Sequence, residues 1–589
     1  PLRPLASVLA ARRACENPDA IERENLKARH EATRDEARQR AEGRLLVLGV
    51  MFLCAFTMVA LKMSFLASSD PTEPRAAASG AQIIAARADI TDRNGRTLAT
   101  NLTTHSLYAQ PPQMIDPVRA AEALAGIFPE LDADKLKRQF TGKRKFIWIK
   151  RRISPEQQQA VFDIGEPGLL FGPREMRLYP NGRVAAHVLG GAGFGREGVS
   201  SAEVIGVAGV ERALDQTLRD PGRGDVPVAL SLDLTVQAAV ERVLEGGMQL
   251  MNAKGAAAVL MDIHTGEIVS LASLPNFDPN DRPRPLTEGD PGDSPMFNRA
   301  VQGVYELGST FKIFAAAQGI EERLVSRSTW IDTKGPLTWG RHKIRDLRHH
   351  GDAMTVEDII VKSSNIGTAR IAMMIGPEKQ QDFLNDLGLF KASPVELIEA
   401  GGARPLLPKK WSEIHTMTVS YGHGMSASPL HLATAYASLL NGGLQVEPTI
   451  LKRETYETGP RILSADTSRQ AREMLRKVVR DGTASLGEVA GYRVGGKTGT
   501  ADKPRPQGGY YDDRVIATFA SVFPADDPAY VLVVTLDEPV ETSGKKPRRT
   551  AGWTAVPVAA EVIRRAAPLL GLAPDVETGT TEGVTLASN

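Results

Sequence analysis

The chain has 589 residues, 42% of them apolar and 24% charged, a globular profile with enough length for two or three cores. Its 71 basic and 70 acidic residues leave a formal net charge of +1, so charge gives no reason to expect a nucleic-acid partner. The cysteines, Cys15 and Cys54, both lie near the start, which excludes a disulfide framework or a C-x-x-C metal site downstream. A long cysteine-free stretch suits an oxidising compartment, where stray thiols are a hazard.

Residues 1–44 are charged with alternating sign and read as a mobile or partly helical, solvated tail. The uncharged stretch LLVLGVMFLCAFTMVAL from Leu45 to Leu61 follows, and MSFLA beyond Lys62 can lengthen it. That is enough for one transmembrane helix if the lysine snorkels to the interface. A cleaved signal peptide is the competing reading, because LASSD offers small residues. The preceding region is too long for an ordinary signal n-region, which favours a retained anchor. Arg29, Arg34, Arg38, Arg40 and Arg44 precede the span, whereas Lys62 and Arg75 follow it. The positive-inside rule then places the N-terminus in the cytoplasm and the rest of the chain outside it.

A Pro/Ser/Ala-rich linker, SSDPTEPRAAASGAQ, comes next. From Ile83 to about Leu232, short strand-like runs alternate with turn signals, and Asn94-Gly95 marks a tight hairpin. From about Leu234 the elements lengthen. TVQAAVERVLEGGMQLM predicts an amphipathic helix, and AAAVLMDIHTGEIVSLAS a strand, turn and strand. SPLHLATAYASLLNGG predicts a helix with Ser428 as N-cap, Pro429 at its first position and Gly442 as terminator. VIATFASVF and AYVLVVTLDEP form a strand hairpin, and VAAEVIRRAA a closing helix. Strand pairs between helices imply an antiparallel sheet sandwiched by helices, in an α+β chain. Residues 571–589 read as a disordered tail.

The run GYRVGGKTGT, residues 491–500, matches two incompatible patterns. As G-x-x-x-x-G-K-T it spells a phosphate-binding loop, which needs a strand before it and a helix after it. ADKPRPQGGYYDD follows instead, and its prolines and glycines forbid a helix start; an extracytoplasmic location also removes the nucleotide. As K-T-G it is one of three signatures of serine enzymes acylated by penicillin, together with S-x-x-K and S-x-N.

Ser-x-x-K occurs twice. Ser543 to Lys546 sits in a basic run with no helix pattern and reads as a solvated loop. Ser309 to Lys312, in GSTFK, is followed by a good helix, IFAAAQGIEERL. Residues three apart on a helix share a face. Ser309 at the helix start feels the positive end of the dipole, and a desolvated Lys312 is neutral enough to take the serine proton. Ser363 and Asn365, in KSSNIG, form the only Ser-x-Asn and lie between two helical runs. Lys497, Thr498, Gly499 and Thr500 are expected on an edge strand. There the lysine supplies positive potential, the threonines bind a carboxylate, and Gly499 lets a substrate strand lie close. Backbone N–H groups of Ser309 and near Thr500 complete an oxyanion hole.

These three motifs, in this order, resemble those of class B penicillin-binding proteins, the monofunctional peptidoglycan D,D-transpeptidases. The likeness extends from Ile83 to Leu570 through NRAVQGVYELGSTFK, SSNIGTARIA, SYGHGMSASPLHLATAYASLLNGG and GGKTGTA, and through the membrane-proximal blocks ADITDRNGRTLA, RLYPNGRVAAHVLG and GVAGVE. It departs in lacking the Asp of S-D-N and in having Ala88 where glycine is more usual. The SSN triplet, the bitopic N-terminus and the length resemble the septal, division-specific FtsI type. The resemblance implies a cytoplasmic tail at 1–44, an anchor at 45–66, an elongated mixed α/β pedestal domain at 67–232 and a penicilloyl-serine transferase domain at 233–570.

It also implies roles. Ser309 is the nucleophile and Lys312 the acylation base; Ser363 and Lys497 relay protons; Asn365, Thr498, Gly499 and Thr500 hold the donor. Peptidoglycan stem peptides are the substrate, β-lactams the inhibitors, and an FtsW-type septal glycosyltransferase and other division proteins the partners, at the inner membrane. No metal or organic cofactor is required. A D,D-carboxypeptidase or β-lactamase, and a non-enzymatic scaffold or penicillin sensor, are the alternatives. His349, His350 and Asp352 read as a solvated loop rather than a metal patch, His423 as packing near the groove, and Asp512 and Asp513 as loop caps.

Overall fold

The computed structural model describes residues 3–14, 18–68, 87–197, 202–224, 226–505 and 508–575. The linker at 69–86, Cys15 and the tail beyond residue 575 lie outside the described residues.

Contacts divide the chain into two units. The first comprises Pro1–Arg75, Leu107–Lys150 and Glu156–Phe171. From residue 18 the charged tail continues into the apolar run as a single helix, Pro18–Ser68, so the tail is more helical than its charge pattern alone suggests. Alternating charges make this possible, since pairs such as Arg38 and Glu42 bridge one helical turn. Within it, Glu42–Met63 has a mean hydropathy of 2.3 and buries none of its surface. Among the described residues this is the one helix long and apolar enough to cross a membrane. The same unit holds two short helices, Pro117–Ile127 and Ala133–Phe140. Their N-terminal amides are capped by the Asp116 and Asp132 carboxylates. Tyr108, Phe146 and Trp148 pack ring against ring beside them.

The second unit comprises Ala76–Ser106, Arg151–Pro155 and Gly172–Asn589. Asn94-Gly95 turns the chain as expected: Gly95 has φ +81, and Asp92 N–H donates to Arg96 O. The three membrane-proximal blocks converge on one buried charge cluster. Arg87 lies 2.6 Å from Glu211 and 2.7 Å from Asp215. Arg177 reaches the other Glu211 oxygen at 2.7 Å, and Tyr179 Oη donates to it at 3.3 Å.

The remainder of this unit is built on a five-stranded antiparallel sheet, β1 (Gly255–Asp262), β2 (Ile268–Leu274), β3 (Gly495–Pro504), β4 (Tyr510–Phe523) and β5 (Tyr530–Asp537). Their spatial order is β3-β4-β5-β1-β2. Helices α1 (Leu234–Leu250) and α2 (Ala555–Leu569) pack together on one face. Helices Pro429–Leu440 and Ala465–Asp481 cover the other. With both faces covered, β1, β2 and β5 are apolar almost throughout and lose the alternation of a half-exposed sheet. The Pro429 helix is capped as its sequence predicts, with Ser428 Oγ accepting from the His431 N–H and Gly442 at φ +100 beyond its end. β3 is left at the edge, so its outer backbone groups are available to an incoming strand.

Candidate active site

Ser309 sits in a single 3-10 turn, Gly308–Phe311, that leads into the helix Lys312–Glu321. The sequence placed it at the start of that helix, and the first turn there is 3-10 rather than α. The tighter turn arises because Gly308 takes φ +55 and donates its N–H to Gly422 O at 3.2 Å. A side chain is excluded at Gly308, since a Cβ there would fall 2.8 Å from Thr500 O. The helix behind the serine is held by Phe311, Phe314 and Tyr436, stacked edge to face. Tyr436 Oη also donates to Thr310 O at 2.7 Å. Ser309 is partly exposed, and its hydroxyl has no hydrogen-bond partner among the described residues.

Lys312 is fully buried, and its Nζ donates to Ser363 O at 2.5 Å and Ser363 Oγ at 3.1 Å. Lys497, equally buried, donates to the same Ser363 Oγ at 3.0 Å and to Thr498 O at 3.1 Å. One hydroxyl thus joins two lysine amines. Two ammonium ions so close in a dry site repel each other, and burial already disfavours either charge. Burial and then the neighbouring Lys497 drive the Lys312 amine well below its ordinary value, against an upward pull from Asp346. Burial brings Lys497 down to about 7. The pair titrates as a unit, and near neutral pH one amine is free to accept a proton.

Ser363 caps the helix Val356–Lys362 in the left-handed conformation, φ +63. A non-glycine residue holds that conformation at a cost of about 1 kcal/mol. The next helix, Asn365–Ile375, starts two residues later with Ser364 as N-cap, its Oγ accepting from Gly367 N–H. Where the triplet lacks its usual Asp, Asp346 supplies a carboxylate from another loop. It accepts the Ser364 hydroxyl at 2.7 Å and the Asn365 and Ile366 amides at 2.6 and 3.0 Å. Asn365 Nδ2 donates to Arg345 O at 2.9 Å. Asp346 was not singled out in the sequence; it stands in a basic surface run, HKIRDLRHH, with no local motif.

The run GGKTGTADKP is strand β3, so it is neither a loop nor the start of a helix, and the phosphate-loop pattern is fortuitous. Gly499 admits the nucleophile's loop: a Cβ there would lie 2.1 Å from Leu307 O. Thr498 Oγ1 is 2.8 Å from Thr483 Oγ1, and Thr500 Oγ1 accepts from Ala551 N–H at 3.0 Å. Thr483 is a second residue without a sequence signal. Elsewhere, His349 and Asp352 lie on the surface 3.7 Å apart. Asp512 pairs with Arg505, and the His423 ring packs against Tyr421 at a tilt of 54°.

This arrangement, a serine at a helix entry, two lysines on a shared second serine and a K-T-G edge strand, has the parts of a serine acyltransferase. Residues 256–562 match the penicillin binding protein transpeptidase domain, and residues 82–223 the penicillin-binding protein dimerisation domain. The chain belongs to the penicillin-binding protein transpeptidase family. Within it the chain is of the class B, FtsI type, being 35% identical over 573 residues to the probable peptidoglycan D,D-transpeptidase FtsI of Caulobacter vibrioides, with 95% of this chain and 93% of that one covered. FtsI of Escherichia coli K12 is 28% identical, covering 84% of this chain and 86% of its own. Penicillin-binding protein 3 of Mycobacterium tuberculosis, solved with ampicillin, superposes with a TM-score of 0.63 at 28% identity, covering 84% of this chain and 97% of that one.

Proposed function

We propose that this chain is a peptidoglycan D,D-transpeptidase that crosslinks stem peptides of the septal wall, and that β-lactams inactivate it by acylating Ser309. The observation that carries the reading is the double engagement of Ser363 Oγ by Lys312 and Lys497. It gives one site both a proton acceptor and a proton donor.

Neutral Lys312 takes the Ser309 proton as Oγ attacks the carbonyl of the penultimate D-Ala. The oxyanion is held by the Ser309 N–H and a β3 N–H near Thr500. As the C–N bond breaks, a proton passes through Lys497 and Ser363 to the leaving amine, and the terminal D-Ala departs. An amine from a second stem then attacks the acyl ester. It loses a proton to the lysine pair, and Ser309 Oγ is reprotonated. Thr498 and Thr500 bind the donor carboxylate. The bonds that Thr500 Oγ1 accepts from Ala551 and Thr498 shares with Thr483 orient the hydroxyls. Asn365 orients the donor peptide.

The Glu42–Met63 segment anchors the chain once in the membrane. The arginine bias before it puts the N-terminus in the cytoplasm and the catalytic domain outside. A septal FtsW-type glycosyltransferase and other division proteins are the expected partners, reached through the regions before residue 233. Purified full-length protein supplied with pentapeptide donor and an amine acceptor is expected to release D-Ala and form the amide crosslink in equal amounts. D-Ala release without crosslink would establish a carboxypeptidase instead, and steady hydrolysis of penicillin a β-lactamase.

A further inference from the structure

A large imbalance of charge lies in the smaller unit, away from the catalytic groove's machinery. The whole chain carries a net charge of +1, yet the sixteen residues from Lys135 to Lys150 hold seven Lys or Arg and no Asp or Glu. Part of this charge has a local explanation. Lys137 and Arg138 occupy the last turn of the helix Ala133–Phe140, where the helix dipole favours cations. Lys137 also pairs with Glu122 at 2.8 Å, and Lys150 with Glu130. Lys143, Arg144 and Lys145 come after the helix cap at Thr141, past the reach of that dipole. All three are exposed, and Lys143 and Arg144 make no ion pair or hydrogen bond among the described residues. Three like charges in a row repel one another, so the fold itself gains nothing from them.

The turn that carries them is held at both ends. Thr141 closes it on one side, its N–H and Oγ1 donating to Lys137 O at 3.0 and 2.8 Å. On the other side, the Phe146 ring packs 5.2 Å from that of Tyr108 and 5.0 Å from that of Trp148. Cations on a braced turn lose little backbone freedom on binding.

The chain brings its own anion-bearing surface. Glu42–Met63 is the helix fit to cross a membrane, and the described chain resumes at Arg87, 24 positions beyond Met63. A link of that length spans at most about 80 Å when fully extended. A tethered surface is met at an effective concentration that a diffusing partner seldom matches. An apolar anchor joined to a basic patch makes a two-signal attachment to anionic membranes, and phospholipid phosphates accept from lysine and arginine donors.

We infer that the turn at 141–146 docks on anionic phospholipid headgroups of the bilayer in which the chain is anchored, with Lys143, Arg144 and Lys145 as its contacts. The anchor fixes where the chain enters the membrane, and the basic turn fixes which face of the Leu107–Lys150 segment meets it. This second attachment depends on lipid charge and on salt, whereas the anchor depends on neither.

The test uses the full chain reconstituted in nanodiscs, one set of pure phosphatidylcholine and one of phosphatidylcholine and phosphatidylglycerol in about equal parts. Hydrogen exchange of the amides at 141–146 is read in both, with the exposed bend at Glu454 and Thr455 in the larger unit as control. Wild-type exchange at the turn is expected to be at least about fivefold slower with phosphatidylglycerol, the weight of one basic residue at an anionic surface, and to recover in high salt. In Lys143→Gln/Arg144→Gln/Lys145→Gln the two lipids should give the same rate. Equal wild-type rates in the two lipids, as a protein or glycan partner for this turn would leave them, overturn the inference. So does slowing that salt does not relieve, that the control bend shares or that the triple variant retains. Should the triple variant fold poorly, the wild-type comparison and its salt dependence decide alone. None of these outcomes bears on the acyl transfer at Ser309.

Discussion

Around Glu211, two arginines and a tyrosine surround one carboxylate; around Ser363, two lysines surround one hydroxyl. Both clusters lie in the larger unit, and both are nearly dry. At Glu211 each arginine faces an opposite charge, with Arg87 held by Glu211 and Asp215 and Arg177 by Glu211. At Ser363 the lysines face each other across an uncharged oxygen, and the Asp346 carboxylate touches only the loop beneath. Burial with pairing makes a structural knot, whereas burial without pairing stores a displaced proton equilibrium that chemistry can draw on.

The contrast breaks most visibly at the lysine. Lys312→Met is expected to lower penicillin acylation by about 10²–10⁴-fold, the usual contribution of a general base. The same change should leave the thermal midpoint no lower than that of wild type. The folded chain holds the Lys312 proton less tightly than the unfolded chain does, so burying this amine costs stability and its removal restores it. A clear drop in the midpoint would mean that the site's charges are structurally paired after all.

Arg87→Met should behave in the opposite sense. It takes away the arginine that faces the second Glu211 oxygen, leaving Arg177 and Tyr179 on the first, and is expected to cost about 3–5 kcal/mol in denaturant unfolding. Ser309 in the molecules still folded should react with penicillin at the wild-type rate. Equal stability of the two variants would erase the distinction between the clusters.

A smaller effect sharpens the comparison further. Burial brings Lys497 to about 7, so its positive charge is present below that pH and lost above it. Acylation should fall on the alkaline side of neutrality. In Lys497→Arg, whose guanidinium keeps its charge, that alkaline limb should vanish even if the maximal rate drops. An alkaline limb unchanged in the arginine variant would assign it to another group.

Much of the catalytic region was legible because it obeys local rules. Ser428, Pro429 and Gly442 bound their helix through backbone geometry alone. The apolar runs of β1, β4 and β5 mark strands covered on both sides. The order of Ser309, Ser363 and Lys497 was enough to point to the family, and the folded chain joins Lys312, Ser363 and Lys497 by hydrogen bonds. What escaped was long-range support. Asp346 and Thr483 act through contacts with Ser364 and Thr498 that only the folded chain creates. The 3-10 turn at Ser309 depends on the Gly308–Gly422 contact between distant segments.

The central claim is that Ser309 is the nucleophile and that the lysine pair behind it makes it one. It is tested most directly by incubating the full-length protein with penicillin, recording the intact mass and mapping the adduct by peptide fragmentation. One penicilloyl group on Ser309, absent from Ser309→Ala protein of unchanged thermal midpoint, is the expected result. An adduct on another residue, or one that persists in Ser309→Ala, would contradict it.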